Sequence, residues 1–195
     1  MKIFALSGLT ECGKLEAATY MRGRGVAPFK IGDLLEAVQA REGDSGDFQE
    51  WNFRQEKERP GWLIQQFHNE LVDRLTRLGG PPCSIDSLYG PVLAERLRRL
   101  TEPEGRQVVV VYIDASPEAR LARQLLDPRL PSLEEAKRIL AHKDANKIAK
   151  GNLQVRRIAD EVIDNSDSLK AFHQRLDDML VRHGCLTTDL VLGAS

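Results

Sequence analysis

The stretch SGLTECGKLEA, residues 7–17, sets Gly8 and Gly13 with four residues between them and Lys14 directly after the second glycine. Gly8, Leu9, Thr10, Glu11, Cys12, Gly13, Lys14 and Leu15 thereby follow the pattern Gly-x4-Gly-Lys of a loop that cradles phosphate. In such a loop backbone N–H groups and a helix N-terminus bind phosphate oxygens, and the lysine bridges the terminal phosphates of a nucleotide such as ATP. The next position ordinarily carries Ser or Thr, whose hydroxyl holds Mg²⁺; here it is Leu15. A leucine offers no oxygen to a hard cation. Magnesium would have to sit between ATP phosphates, waters and a carboxylate, and Glu11 adds a negative charge beside the phosphates. The loop therefore argues for phosphate binding more strongly than for fast turnover.

Two carboxylates stand where such chemistry needs them. Asp33 follows an apolar stretch at 25–32, and Asp86 ends another at 83–86. In an open α/β sheet both would lie at the carboxyl edge, where ligands bind. Asp86 is expected beside the loop, orienting Mg²⁺ or accepting a proton from the phosphoryl acceptor. Asp33 reads both as a helix N-cap and as an acceptor-side carboxylate. Cations cluster further on: Arg120, Arg123, Arg129, Lys143 and Lys147. Cations on a closing segment neutralise a transferring phosphoryl group. Lys30 stands where it could meet an acceptor phosphate, and His142 lies among the later cations.

The elements that must carry these residues can be read from periodicity. KIFALS (2–7) is a short apolar run suited to a strand buried on both faces, and a helix follows from Gly13 to about Arg24. A second strand is expected at 25–32 and a helix at 33–42 capped by Asp33. Residues 49–60 read as helical, and 62–78 carry an apolar stripe through Ile64, Phe67, Leu71, Leu75 and Leu78. Strands are expected at 83–86, 106–115 and 159–165, and helices at 91–100, 116–126, 132–150 and 166–184. Ser116-Pro117 and the capping box Ser132-x-x-Glu135 mark two helix starts. The tail from 185 has no clear assignment. Strands alternating with helices predict an α/β fold with a parallel sheet covered on both faces.

A chain of 195 residues with 42% apolar and 29% charged residues suits one domain, 1–195. Its net charge of −1 supplies no global basic field for nucleic acid. No apolar run approaches the roughly 18 residues of a membrane span. The N-terminus is too short for a signal-peptide core, and Cys12, Cys83 and Cys185 lack metal spacing, so a cytoplasmic protein with reduced thiols is expected. The implied partner is a small nucleotide-like substrate, with neither nucleic acid nor membrane, and homo-oligomerisation is left open.

Four stretches resemble P-loop kinases of the nucleoside monophosphate kinase and dephospho-CoA kinase-like group. FALSGLTECGK is similar to the first strand and phosphate loop, and FKIGDLLEA to an acceptor-side strand ending in Gly-Asp. SIDSLYGPVLAERLRRL resembles a strand-end Asp motif and its helix. VVYIDASPEARLAR, with the stretch from Ala141 to Leu176, resembles the fourth strand, lid and last strand–helix unit. The resemblance implies a three-layer fold with a five-stranded parallel sheet, an acceptor-side helical insert at 49–78 and a lid at 120–150. It implies ATP and Mg²⁺ as cofactors and phosphoryl transfer to a nucleoside monophosphate or a dephospho-CoA-like acceptor. Lys14, Asp86, Asp33, Arg120 and Arg123 would do the catalytic work, with Asp86 also at the metal. Three departures stand out: Leu15, Ser87-Leu88-Tyr89 where related sequences carry Gly and, two residues further, Arg, and a lid without a dense arginine cluster. A second reading is a catalytically impaired nucleotide-binding protein that acts through a partner or a conformational change.

Overall fold

In a computed structural model describing residues 1–126, 128 and 132–187, five strands form one parallel sheet in the order β2-β3-β1-β4-β5. The strands are β1 Lys2–Ser7, β2 Ala27–Lys30, β3 Cys83–Asp86, β4 Gln107–Asp114 and β5 Glu161–Asp164. Between them run α1 Lys14–Arg22, α2 Ile31–Arg41, α3 Phe48–Glu58, α4 Trp62–Arg77, α5 Pro91–Thr101, α6 Pro117–Gln124, α7 Leu133–Ala149 and α8 Asn152–Ile158, and α9 Leu169–Arg182 closes the order.

The two-residue period of β1 decides the layers. Ile3 and Ala5 enter one core with Ile85, Val110 and Tyr112, against α2, α4 and α5. Phe4 and Leu6 enter the other with Val109, Val111 and Ile113, against α1 and α9. Each face of the sheet thus has its own apolar cover, which is why the inner strands read as near-continuous apolar runs. Trp51, at the start of the expected insert, is a core residue at 1% exposure, whereas Phe53 is 72% exposed.

Three local expectations need correction. The second strand is shorter than 25–32, and α2 begins at Ile31, so its N-cap is Lys30 and not Asp33. Asp33 stands in the first turn, where a carboxylate still complements the helix dipole. Helix α8 falls in a stretch that carried no expected element. Its start at Gly151, with φ of 94°, needs a backbone that glycine adopts without strain. The other N-caps hold: Ser116 accepts from the Ala119 N–H, and Ser132 from the Glu135 N–H.

Candidate active site

β1 is the central strand, and the loop from Gly8 to Gly13 leaves its carboxyl end and opens α1 at Lys14. Gly8 cannot be replaced without displacing the sheet. A Cβ there would lie 2.4 Å from the Ile113 carbonyl oxygen and 2.6 Å from Cys12 Sγ. Gly13 has φ of 103°, and a Cβ on it would meet Asn165 Nδ2 at 2.2 Å. Both glycines therefore permit a backbone path that L-residues would close off.

Lys14 is buried, with Nζ donating to the Gly8 carbonyl at 3.0 Å and the Leu9 carbonyl at 3.1 Å, and lying 3.5 Å from Cys12 Sγ. It is folded back on its own loop. Leu15 points the other way, 67% exposed, and lines a cleft of ≈ 320 Å³ with Thr19, Lys30, Asp33 and Asp86.

Asp86 pairs in register with Leu6 on one side and Lys30 on the other, which sets it beside the loop. The next residues are strapped to the end of β1. Leu88 N–H donates to the Leu6 carbonyl at 2.8 Å, and Ser7 Oγ donates to the Leu88 carbonyl at 2.7 Å. Ser87 Oγ donates to an Asp86 carboxylate oxygen. Ser87 and Leu88 thus serve as a polar prop and a buried anchor.

A larger cleft of ≈ 700 Å³ lies on the far side of the carboxylates. It shares Lys30, Asp33 and Asp86 with the smaller one. Apolar walls come from Phe48, Ile64, Phe67 and Tyr89, and further cations from Arg96 and Lys150. The 49–78 stretch therefore does line a cleft, through Gln49, Asn52 and α4, while Trp51 packs inward.

The lysines and arginines divide into distinct groups. Arg120 Nη1 pairs with Asp144 and donates to the Thr10 carbonyl at 3.2 Å. Arg123 donates to the Glu11 carbonyl at 3.0 Å and the Asn165 carbonyl at 2.6 Å. Both arginines brace the loop through its backbone carbonyls. Lys143 and His142 are exposed, and Arg129 lies outside the described residues. Lys147 is half-buried on the face of α7 that carries Asp144, and its ammonium feels the Lys14 charge.

Three polar residues that sequence reasoning missed complete the frame. Asp144 accepts from the Thr10 N–H at 2.8 Å, Asn152 Nδ2 donates to Ser7 Oγ at 3.1 Å, and Asn165 Nδ2 donates to the Cys12 carbonyl at 2.9 Å. The signal for Asp144 was available: it lies three residues before Lys147, on the same helical face.

The donor set decides what the site can hold. The glycine backbone and converging lysines suit phosphate. Among the described residues no group of three His, Cys, Asp or Glu side chains could hold a metal. Thr10 Oγ1 is buried without a hydrogen-bond partner and is closed off from solvent. Asp86 alone, with Asp33 in the same cleft, fits a magnesium ion that arrives on nucleotide phosphates, since Mg²⁺ keeps waters and takes one or two carboxylates.

Burial and the Lys14 charge push the Lys147 ammonium down to about 8, with Cys12 and Asp144 acting in the opposite sense. Between about 8 and the ordinary lysine value of 10.5 the unfolded chain binds more protons, so this group makes stability rise with pH. Lys147→Met is therefore expected to melt higher than wild type at pH 7. Its advantage should shrink as pH passes 8, and a pH-independent difference between ligand-free melts would contradict this.

Among the described residues no helix is long and apolar enough to cross a membrane. No protein-family profile and no curated protein matches the chain. Solved structures do. TT1252 from Thermus thermophilus aligns with a TM-score of 0.59 at 19% identity, over 92% of this chain and 96% of its own. The tunicamycin resistance protein of Deinococcus radiodurans aligns at 0.54 and 19% identity, over 95% and 96%. A shikimate kinase from Bacteroides thetaiotaomicron aligns at 0.51 and 10% identity, over 94% and 98%. At these identities the likeness is one of fold, and it runs nearly the full length of each pair. The chain has the fold of P-loop kinases, with a glycine–lysine loop at the end of its central strand.

Proposed function

We infer that the chain is an ATP-dependent phosphotransferase acting on a small nucleotide-like acceptor. The observation that supports this is the placement of Asp33 and Asp86 on the shared wall of two clefts, with Leu15 lining the smaller one and Asp86 in register with Leu6, just ahead of the glycine–lysine loop. The loop backbone and Lys14 bind the phosphates of ATP. The larger cleft takes the acceptor, its aromatic walls against a flat ring and Lys30, Arg96 or Lys150 near an anionic group. A nucleoside monophosphate and dephospho-CoA both have that character.

In the reaction an acceptor oxygen bonds to the terminal phosphorus while the bond to the ADP oxygen breaks. Where the acceptor is a hydroxyl, its proton goes to Asp86. Asp33 hydrogen-bonds and orients the acceptor. Magnesium carried on the phosphates would add neutralisation of their charge, held through Asp86. The residues themselves supply positioning and electrostatics, which is most of what phosphoryl transfer requires.

Lys14→Ala tests the first half. Lys14 offers a charge-assisted contact of roughly 1.5–3 kcal/mol, so ATP affinity should fall by about tenfold or more. Equal affinity of wild type and variant for a fluorescent ATP analogue would sink the phosphate-loop assignment. The second reading, a nucleotide binder with impaired catalysis, is favoured by the exposed Leu15 where an oxygen ligand is expected. It takes over if ATP binds but no nucleoside monophosphate, dephospho-CoA or small phosphorylated alcohol stimulates ADP release above that of Lys14→Ala.

A further inference from the structure

The phosphate loop departs from the usual donor set in two ways at once. It lacks the hydroxyl that would follow the lysine, since Leu15 stands there with its side chain in the cleft. It also has one ammonium more than the loop itself provides. Helix α7 is tied down over the loop by Asp144, which accepts from the Thr10 N–H at 2.8 Å and pairs with Arg120. Beyond it, Asn152 of α8 donates to Ser7 Oγ at 3.1 Å and to the Gly8 carbonyl at 3.4 Å. Lys147 lies between these two anchors in the chain, one turn past Asp144 on the face of α7 that meets the loop, and its ammonium feels the Lys14 charge.

Two ammonium groups are thus carried on the same side of the loop, Lys14 by the loop itself and Lys147 by a helix fixed to the loop backbone. The titratable groups around Lys147 are Lys14, Cys12 and Asp144, and Asp144 is already paired with Arg120. Like charges at such proximity are unfavourable unless an anion lies between them. A polyphosphate is such an anion. The arrangement puts a fixed positive charge on the donor phosphates, where a hydroxyl-held cation would otherwise supply it.

We propose that Lys147 is a phosphate ligand that works with Lys14 in place of the missing metal-ligating hydroxyl, so that the loop binds the polyphosphate of ATP without a divalent cation. This rests on the reading of the loop as an ATP site. It concerns binding of the donor; the role of Asp86 in transfer is separate.

The test is the dissociation constant for ATP, measured by calorimetry on the whole chain in EDTA and in Mg²⁺. Wild type should bind with affinities within about threefold of each other in the two conditions. In EDTA, Lys147→Met should lose about tenfold or more, the scale of a charge-assisted contact, and Lys147→Arg should recover most of it. Leu15→Ser should confer a Mg²⁺ dependence that wild type lacks. Lys147 is only partly buried, and a thermal melt of each variant establishes that it is folded. If wild type loses tenfold or more in EDTA while Lys147→Met binds as wild type does, the metal is the cation and the inference is overturned with the ATP site intact. If ATP binds in neither condition, the inference and the ATP-site reading fall together.

Discussion

Asp86→Asn is expected to lower phosphoryl transfer by at least about a hundredfold, the lower end of what a positioned acid–base group contributes, with ATP affinity little changed. The asymmetry follows from where the side chain sits. Asp86 lies on the wall common to both clefts, at the end of β3 and in register with Leu6 of β1. In the proposed reaction it stands next to the transferring group, and it is not among the groups that contact Lys14 Nζ. Asparagine keeps the shape and retains an oxygen that can accept from Ser87 Oγ. The strap between Leu88 and Leu6 is backbone to backbone and does not depend on the carboxylate. The variant loses a charge and a proton acceptor and keeps its fold. Asp33→Asn should behave differently, raising the acceptor KM more than it lowers kcat, because Asp33 is exposed on α2 and contributes orientation. Steady-state ADP release against acceptor concentration separates the two. Normal turnover by Asp86→Asn would place the chemistry elsewhere in the molecule.

The sheet was legible in the sequence because its inner strands are buried on both faces. KIFALS and RQVVVVYIDA hold the unbroken apolar runs IFAL and VVVVYI, and no described helix reads that way. The alternation gave the parallel sheet and set the third strand's end beside the loop, but the order β2-β3-β1-β4-β5 is a matter of long-range packing that the alternation leaves open. The site residues were harder. Gly8, Gly13 and Lys14 form a local motif, and Asp33 and Asp86 stand at strand ends, so each could be named from its neighbours. Asp144, Asn152 and Asn165 act on the loop from far along the chain, and each is a common polar residue in a helix or a strand–helix junction. Only the packing of α7 and α8 brings the first two into contact with it. The same long range explains the arginines. Arg120 and Arg123 read as free cations near a phosphate site, whereas the fold sets them on the carbonyls of Thr10 and Glu11. Helix α8 was hidden by its seven-residue length, too short to show a period.

The largest stability effect is expected at one of those hidden residues. Asp144 and Arg120 pair with side chains only 12% and 9% exposed. Removing one partner of a buried pair leaves the other charge without compensation, at a cost of about 3–5 kcal/mol. Arg120 Nε already has no hydrogen-bond partner, so the loss falls on a guanidinium left with the Thr10 carbonyl alone. Asp144→Ala should therefore lower the melting temperature by roughly 10 °C for a domain of this size. It should also weaken ATP binding, because the Thr10 N–H loses its acceptor and the loop its tie to α7. The double variant Arg120→Met with Asp144→Leu discriminates between the two losses. It removes both charges and fills the space, so stability should return towards wild type. ATP affinity should not return, since neither replacement can accept from Thr10. A drop of only a degree or two in Asp144→Ala would mean that the pair is solvated and that the loop is held by other contacts. Recovery of ATP affinity in the double variant would mean that charge burial, and not the Thr10 bond, governs the loop.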